Sequence, residues 1–460
     1  MRKNLFHSGL ATIATVTLFG AGFMSCTDDT VTDPYVQNAD VELLTLSPEQ
    51  VAVNDYLPKN AIIAHRGSEF WAPEESEAAM RWARNIGADY LEIDVQMTKD
   101  GVILALHDEN LCRTTDIENH YPNKEDLYTS SFMFSELLKL DIGSWFNDAN
   151  PERARASFVG LDMLTVEDVL AIAEGKRIKR DENGKRIAHY DEEGNYLGCE
   201  YEADPYDNGN RPGVYIETKS PSYFPGVEAK LRALLEKNGW YAENIADLKE
   251  IPTFEGRVGI ANTPARIVLQ TFSASGLTNL RDAFAPRVMP TLFLMMDMNN
   301  STPESYGMMI NFAIESGATC FGPNIDYVTG YPSSLNVWQT EMIRRTGMDI
   351  HAWSFNTDAQ YLAYTGPYRD SAHKGGEEFN ACDMTFTNRT DLTINYYNQT
   401  LAGTYGALNY FRSNAKLRND AYPTNDVEDN LHANKPKAPG VSIDGGITVD
   451  GATVLDYLGY

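Results

Sequence analysis

Eight short β-rich runs, each followed by a stretch of helical period, constrain this chain more than any other feature. The runs are "AIIAH", "YLEIDVQM", "VYIETK", "IVLQTF", "VMPTLFLMM", "TCFGPNI", "DIHAWSF" and "DMTFTN". Helical patterns such as "EAAMRWARNIG", "TVEDVLAIAEG" and "GVEAKLRALLEKNG" lie between them. Strands that alternate with helices make an α/β fold. Eight repeats is the number that closes a barrel. No GxGxxG turn follows the first strand, as an open dinucleotide-binding sheet would have. The pattern predicts a (β/α)8 TIM-type barrel over residues 59–395.

One run breaks the rhythm. "VILALH" follows the second strand across only "TKDG", too short for a helical crossover, so it must return antiparallel. Asp100-Gly101 is a type I′ hairpin signal. With those two residues as the loop, Lys99 pairs with Val102 and Asp94 lies opposite His107. Glu92 shares that face, two residues back. The expected product is two carboxylates and a histidine on one hairpin, conditional on that register.

At 460 residues the chain has room for the barrel and for additions at both ends. Its formal charge of −27 argues against a nucleic-acid partner, because phosphate backbones need clustered Lys and Arg. An acidic protein can still take an anionic substrate where a few cations converge. Residues 1–25 have the anatomy of a signal peptide: Arg2 and Lys3, then the apolar "LATIATVTLFGAGFM". That stretch is short for a membrane span. Ser25-Cys26 behind it resembles a bacterial lipobox, with Phe23 in place of the usual Leu. Cys26 is therefore expected to carry a lipid. The mature protein would sit in the cell envelope, in the periplasm or on the outer-membrane surface, touching membrane only through that anchor. Ordinary signal cleavage nearby is the other reading. Cys112, Cys199, Cys320 and Cys382 show no CxxC spacing, which argues against zinc.

Residues 26–58 read as a polar linker with one short helix. Residues 109–162 follow the hairpin on the catalytic side and read as a lid, whose Tyr121, Phe132, Trp145 and Phe146 are candidates to cover a substrate. The charged insert 176–212 follows a helix and precedes a strand, so it is expected at the end opposite the active face. The tail 396–460, with its strand-like "VSIDGGITVDGATV", has no assigned role.

The strand-end residues suggest a chemistry. His65, Arg66, Glu92, Asp94, His107, Asp108, Glu217 and Lys219 would gather at one mouth of a barrel. Carboxylates from different strands make a hard-oxygen site suited to Mg²⁺ or Ca²⁺. Arg66 and Lys219 would neutralise a phosphate. Two histidines can serve as general acid and base. Such a set suits displacement at a phosphodiester. Singly, each residue has a bland reading: a strand-end carboxylate in a salt bridge, a lysine beginning a loop, Trp353 packing the core. His351, without an evident carboxylate partner, reads as structural.

"AHRG…APE", "GADYLEIDVQMTKDGVILALHDENLCRTT", "YIETKSP", "LQTFS" and "AWSFNT" resemble the signature blocks of the glycerophosphodiester phosphodiesterases, in order over roughly residues 60–390. The resemblance implies a β/α barrel that hydrolyses small glycerophosphodiesters to glycerol 3-phosphate and an alcohol with one divalent cation. It places His65 and His107 at the catalytic histidines and Glu92, Asp94 and Glu217 at the metal ligands. Arg66 matches the phosphate-contacting arginine, Lys219 the lysine of a Glu-x-Lys block and Glu74 the glutamate of a Pro-Glu-Asn-Thr motif; Trp353, read from the residues alone, is equally a wall of the substrate pocket or core. Glu75 and Ser76 depart from that motif, adding negative charge and putting substrate preference in doubt. The last strand ends "TFTNRTD", where the family more often has Thr-Asp. Two rival functions remain: a phospholipase D-like phosphodiester lyase acting on intact lipids, and a catalytically idle surface lipoprotein that binds without turnover. Headgroup, oligomeric state and the division of labour between the histidines stay open.

Overall fold

The computed structural model describes residues 40–252, 259–296, 302–325, 333–365, 381–396, 441–442 and 448–460. All eight runs form parallel strands: β1 Ala61–Ala64, β2 Tyr90–Met97, β8 Gly213–Thr218, β9 Ile267–Thr271, β10 Thr291–Met295, β11 Cys320–Pro323, β12 Asp349–Ala352 and β13 Met384–Thr387. The hairpin return is β3, Ile103–Ala105, and the insert supplies β4 Lys176–Ile178, β5 Ala188–Tyr190, β6 Tyr196–Cys199 and β7 Tyr201–Ala203. The order β1-β13-β12-β11-β10-β9-β8-β2 closes through a β1–β2 pairing, with β3 added on β2. The chain is a (β/α)8 barrel. Helices such as Glu77–Ile86 and Val166–Ala173 follow the strands, and Ser76 and Thr165 cap them by accepting from backbone N–H groups of the first turn.

The period of two along each strand separates two cores. Ala61, Ile63, Tyr90, Tyr215, Leu292 and Phe386 pack inside the barrel. Their neighbours Ile62, Leu91, Val214 and Ile216 pack outward under the helices. His351 belongs to the interior, where its Nδ1 lies 2.8 Å from the Tyr215 hydroxyl. The inward row continues past Ile63 to His65, past Tyr90 to Glu92 and Asp94, and past Tyr215 to Glu217. Apolar layers thus fill the barrel, and a polar layer closes it at the strands' C-terminal ends.

The hairpin differs from expectation by one residue. Gln96 pairs with Leu104 and Met97 with Ile103, so Asp94 stands opposite Leu106, whose N–H donates to the Asp94 carbonyl at 2.8 Å. The loop has three residues, not two. Thr98 Oγ1 donates to Asp100 at 2.6 Å and accepts from the Val102 N–H at 2.9 Å, with Gly101 at φ +79° in the left-handed position such loops require. His107 lies two residues beyond the end of β3 at Ala105 and still reaches the mouth, close enough for its charge to act on Asp94.

The insert also differs from expectation. It leaves and rejoins the barrel at the far end, but climbs the helix layer on the way. Arg180 pairs with Glu77 and Asp162, Arg186 with Asp168, and the Tyr196 N–H reaches Asp100 at the hairpin tip. It is an outer buttress running toward the catalytic side. Residues 40–58, expected as linker, pack on the barrel. The helix Pro48–Asn54 places Gln50 on the carbonyls of Ile314 and Ala318 and Asn54 on that of Thr319. The end of the tail packs too. The helix Gly451–Leu458 lies on Glu77–Ile86, with Trp82 Nε1 donating to the Gly451 carbonyl. Arg155 of the lid binds Asp456 and the Tyr460 carbonyl. Among the described residues no helix is long and apolar enough to cross a membrane. Cys26 lies outside them.

Candidate active site

The mouth of the barrel begins with a strained loop. After β1, Arg66, Gly67 and Ser68 all have positive φ, at 52°, 78° and 72°. This conformation turns the Arg66 N–H onto Glu92 Oε2 at 2.7 Å and points its side chain back over the barrel. Arg66 Nε stands 3.1 Å from Asp94 Oδ2. Gly67 allows the turn because a Cβ there would meet Ala79 Cβ at 2.8 Å.

Glu92, Asp94 and Glu217 come together as expected. One oxygen of each lies within 4.8 Å of the others, and all three are buried. β2 and β8 run in register with Asp94 beside Glu217, and Gln270 of β9 donates to Glu92 Oε1 at 2.8 Å. Asp94 Oδ2 and Glu217 Oε1 are buried and accept no hydrogen bond, although Lys219 Nζ stands 3.2 Å from Glu217. Each therefore has a cationic side chain beside it, Arg66 Nε at 3.1 Å from Asp94 Oδ2 and Lys219 at Glu217, but no hydrogen bond, which leaves lone pairs free for a metal ion. Two or more carboxylates around a dry point fit Ca²⁺ or Mg²⁺, with water or substrate completing the shell.

The electrostatics point the same way. Burial pushes the Glu217 carboxyl up to about 8, Lys219 opposing and Asp94 adding to the rise. Burial, then Asp94 and Glu217, push Glu92 well above the usual carboxylate range. Asp94 is held far below that range, because Lys219, His107 and Arg66 outweigh its burial. Lys219 stays protonated beside Asp94 and Glu217 despite burial. Its Nζ also lies 5.3 Å from the Phe272 ring centre, and Phe272 packs edge-on against Trp353. Trp353 is half-buried and donates from Nε1 to the Gly322 carbonyl, so it stands at the mouth's wall and is anchored there.

The two histidines have unlike surroundings. His65 Nδ1 lies 2.7 Å from Asn388 Oδ1, and burial, then the neighbouring Arg66, lower its pKa to about 3. His107 Nδ1 lies 2.5 Å from Asp108 Oδ1. Arg113 grips Asp108 through Nε at 2.7 Å and Glu74 through both terminal nitrogens, at 2.8 and 2.6 Å. Glu74 in turn lies 3.3 Å from Arg66. A continuous charged chain therefore links His107 to Arg66. Sequence reading named Asp108 and Glu74 without their partner. It missed Arg113, Asn388, Gln270 and Glu69 as site residues. Gln270 and Asn388 carried a signal, since each continues an inward-facing row. Arg113 carried none beyond lying in the quoted "LCRTT".

Of the four lid aromatics, Phe132 and Phe146 are buried in the core, and Tyr121 packs on Phe132. Trp145 lines a cleft of about 470 Å³ beside the catalytic mouth, with Glu69, Glu74, Arg113 and Asn388.

A closed β/α barrel with three acids, two cations and two imidazoles at its C-terminal mouth has the chemical means to cleave a phosphodiester. Residues 65–234 match the glycerophosphoryl diester phosphodiesterase family. A glycerophosphodiester phosphodiesterase of Bacillus subtilis is 30% identical over 298 residues, covering 65% of this chain and 77% of that protein. A glycerophosphoinositol inositolphosphodiesterase of Mus musculus is 32% identical over 126 residues, 27% of this chain and 23% of its own length. Among solved structures, a glycerophosphodiester phosphodiesterase from Agrobacterium tumefaciens covers 72% of this chain and 98% of its own, at 21% identity and a TM-score of 0.42. The chain belongs to the glycerophosphoryl diester phosphodiesterase family and is a phosphoric diester hydrolase.

Proposed function

We propose that the protein hydrolyses small glycerophosphodiesters to glycerol 3-phosphate and an alcohol, with one divalent cation, Ca²⁺ or Mg²⁺, held by Glu92, Asp94 and Glu217. The observation that carries this reading is the set of three buried carboxylates converging within 4.8 Å beside Arg66 and Lys219. The bound cation would supply charge neutralisation at the phosphoryl oxygens. Arg66 and Lys219 add to it, the first as a planar fork and the second as a point charge.

The surroundings of the imidazoles support a division of labour. His65 has a neutral amide at Nδ1 and a guanidinium beside it, so it is held neutral with Nε2 able to accept a proton: it is the general base. His107 has the Asp108 carboxylate at Nδ1, which orients its ring and leaves Nε2 facing outward: it is the general acid to the leaving alkoxide. Arg113 holds Asp108 in place for that task. The leader sequence supports export, with attachment to a membrane through Cys26.

The test is a headgroup panel assayed after EDTA treatment, with Ca²⁺ or Mg²⁺ then restored. Activity should vanish and return with the cation. His65→Ala and His107→Ala should each lower turnover by about 100-fold or more. Near-normal rates in either variant overturn its assignment.

A further inference from the structure

We propose that the cleft beside the catalytic mouth selects a hydroxyl-rich, uncharged headgroup, such as a polyol, and discriminates against quaternary ammonium headgroups. The proposal rests on the diesterase reading and narrows it. The cleft is about 470 Å³ and shares Glu69, Glu74 and Asn388 with the catalytic mouth. It is therefore contiguous with the site, and it exceeds what a methyl or ethyl alcohol needs. Arg113, which grips the carboxylate behind His107, forms part of its wall. Asn388, which contacts His65 Nδ1, forms another part, so the cleft borders both imidazole networks and is where the headgroup of a bound diester would extend.

The chemistry of the wall decides what fits. A trimethylammonium group is ordinarily held by open aromatic faces, whose negative quadrupole attracts it. Two partly exposed rings, Phe70 and Trp145, and the buried Phe146 border this cleft, and each already has a guanidinium over it. Phe70 is sandwiched, with Arg153 at 3.8 Å and Arg389 at 3.9 Å from its centre. Arg113 stands 6.0 Å from the Trp145 ring and Arg153 5.8 Å from that of Phe146. The faces that would attract an organic cation instead present positive charge.

A strongly anionic headgroup is not favoured either. Arg389 is paired with Asp391 and Arg113 with Glu74 and Asp108. The wall is a mosaic of donors and acceptors, the amides of Asn150, Asn356 and Asn388 interleaved with guanidinium and carboxylate groups, most of them already partnered within the protein. Hydroxyl groups, which both donate and accept, match such a wall.

The experiment compares kcat/KM for glycerophosphoinositol and glycerophosphoglycerol with that for glycerophosphocholine, using the cation-loaded full chain. A preference of about tenfold or more for the polyol diesters is expected. Arg389→Gln uncovers one face of Phe70 and should shrink that preference at least about threefold by improving the choline substrate. Arg153→Gln, on the opposite face, repeats the test should the first variant not fold. Equal rates across the panel, a preference for choline, or a preference untouched by both variants would overturn the proposal while leaving the diesterase reading intact. No turnover of any diester would remove both.

Discussion

Neutralising Glu217 should stabilise the cation-free protein, and the gain should grow with pH. Glu217 is 4% exposed, and its carboxyl is pushed from the usual 4.5 up to about 8. A group whose pKa is higher folded than unfolded binds more protons in the native state. Stability therefore falls as pH rises from 4.5 to about 8. Each pH unit in that window costs about 1.4 kcal/mol. Between about pH 5.5 and about pH 8 the native protein should lose about 3 kcal/mol through this one side chain. Glu217→Gln keeps the shape and cannot ionise, so it should escape that loss. Urea unfolding in EDTA at the two pH values measures the difference directly. Adding Ca²⁺ at about 100 times its Kd should stabilise the native protein by about 2.7 kcal/mol and the variant by much less. The reasoning fails if the variant shows the same pH dependence as the native chain, or if it keeps the full response to the cation.

The base assignment predicts that Asn388→Asp, placing a carboxylate 2.7 Å from His65 Nδ1, will raise the His65 pKa by about 1 unit or more. The acid limb of the kcat/KM profile should move up with it, and an unmoved limb refutes His65 as the base. Gly67→Ala must place a Cβ 2.8 Å from Ala79 Cβ at φ +78°, so it should destabilise by about 2 kcal/mol or more and displace Arg66. A melting temperature within error of the native value contradicts that packing. Cys26→Ser should move the protein from the membrane fraction to the soluble exported fraction. Unchanged partitioning excludes a lipid on Cys26.

Much of the fold was legible because strands buried on both faces leave compact apolar runs, and all eight appeared within a residue or three of their structural bounds. What escaped reading was set by side chains that replace backbone partners. The hairpin register turned on Thr98, whose hydroxyl bridges Asp100 and Val102 and makes a three-residue loop from a two-residue signal. Residues 40–58 read as linker because their polarity suggests solvation. Gln50 and Asn54 instead satisfy carbonyls at the ends of barrel elements, a use of polar groups that composition cannot reveal. The path of the insert likewise depended on ion pairs across long sequence separations, such as Arg180 with Glu77.

The site was legible wherever a strand's alternation carried it, and obscure wherever a loop did. Glu75 illustrates the second case. Read as sequence, it departs from an Asn and adds negative charge near a phosphate pocket. In the fold it sits behind the pocket, at φ +58° and 2% exposed. Its Oε1 accepts from the Asp94 N–H at 2.9 Å, and its own N–H donates to the Arg66 carbonyl at 3.1 Å. An asparagine is more at ease in left-handed backbone, but its carbonyl and a glutamate's carboxyl can both accept that N–H. Ser76 meanwhile caps the following helix by accepting from the Ala79 N–H, a task that threonine shares. Glu75 thus preserves the positioning of Asp94 and Arg66, and Ser76 the start of the helix. Whatever narrows the substrate range is better sought in the arginine-faced cleft than at residues 75 and 76, whose side chains are spent on the Asp94 N–H and on a helix cap.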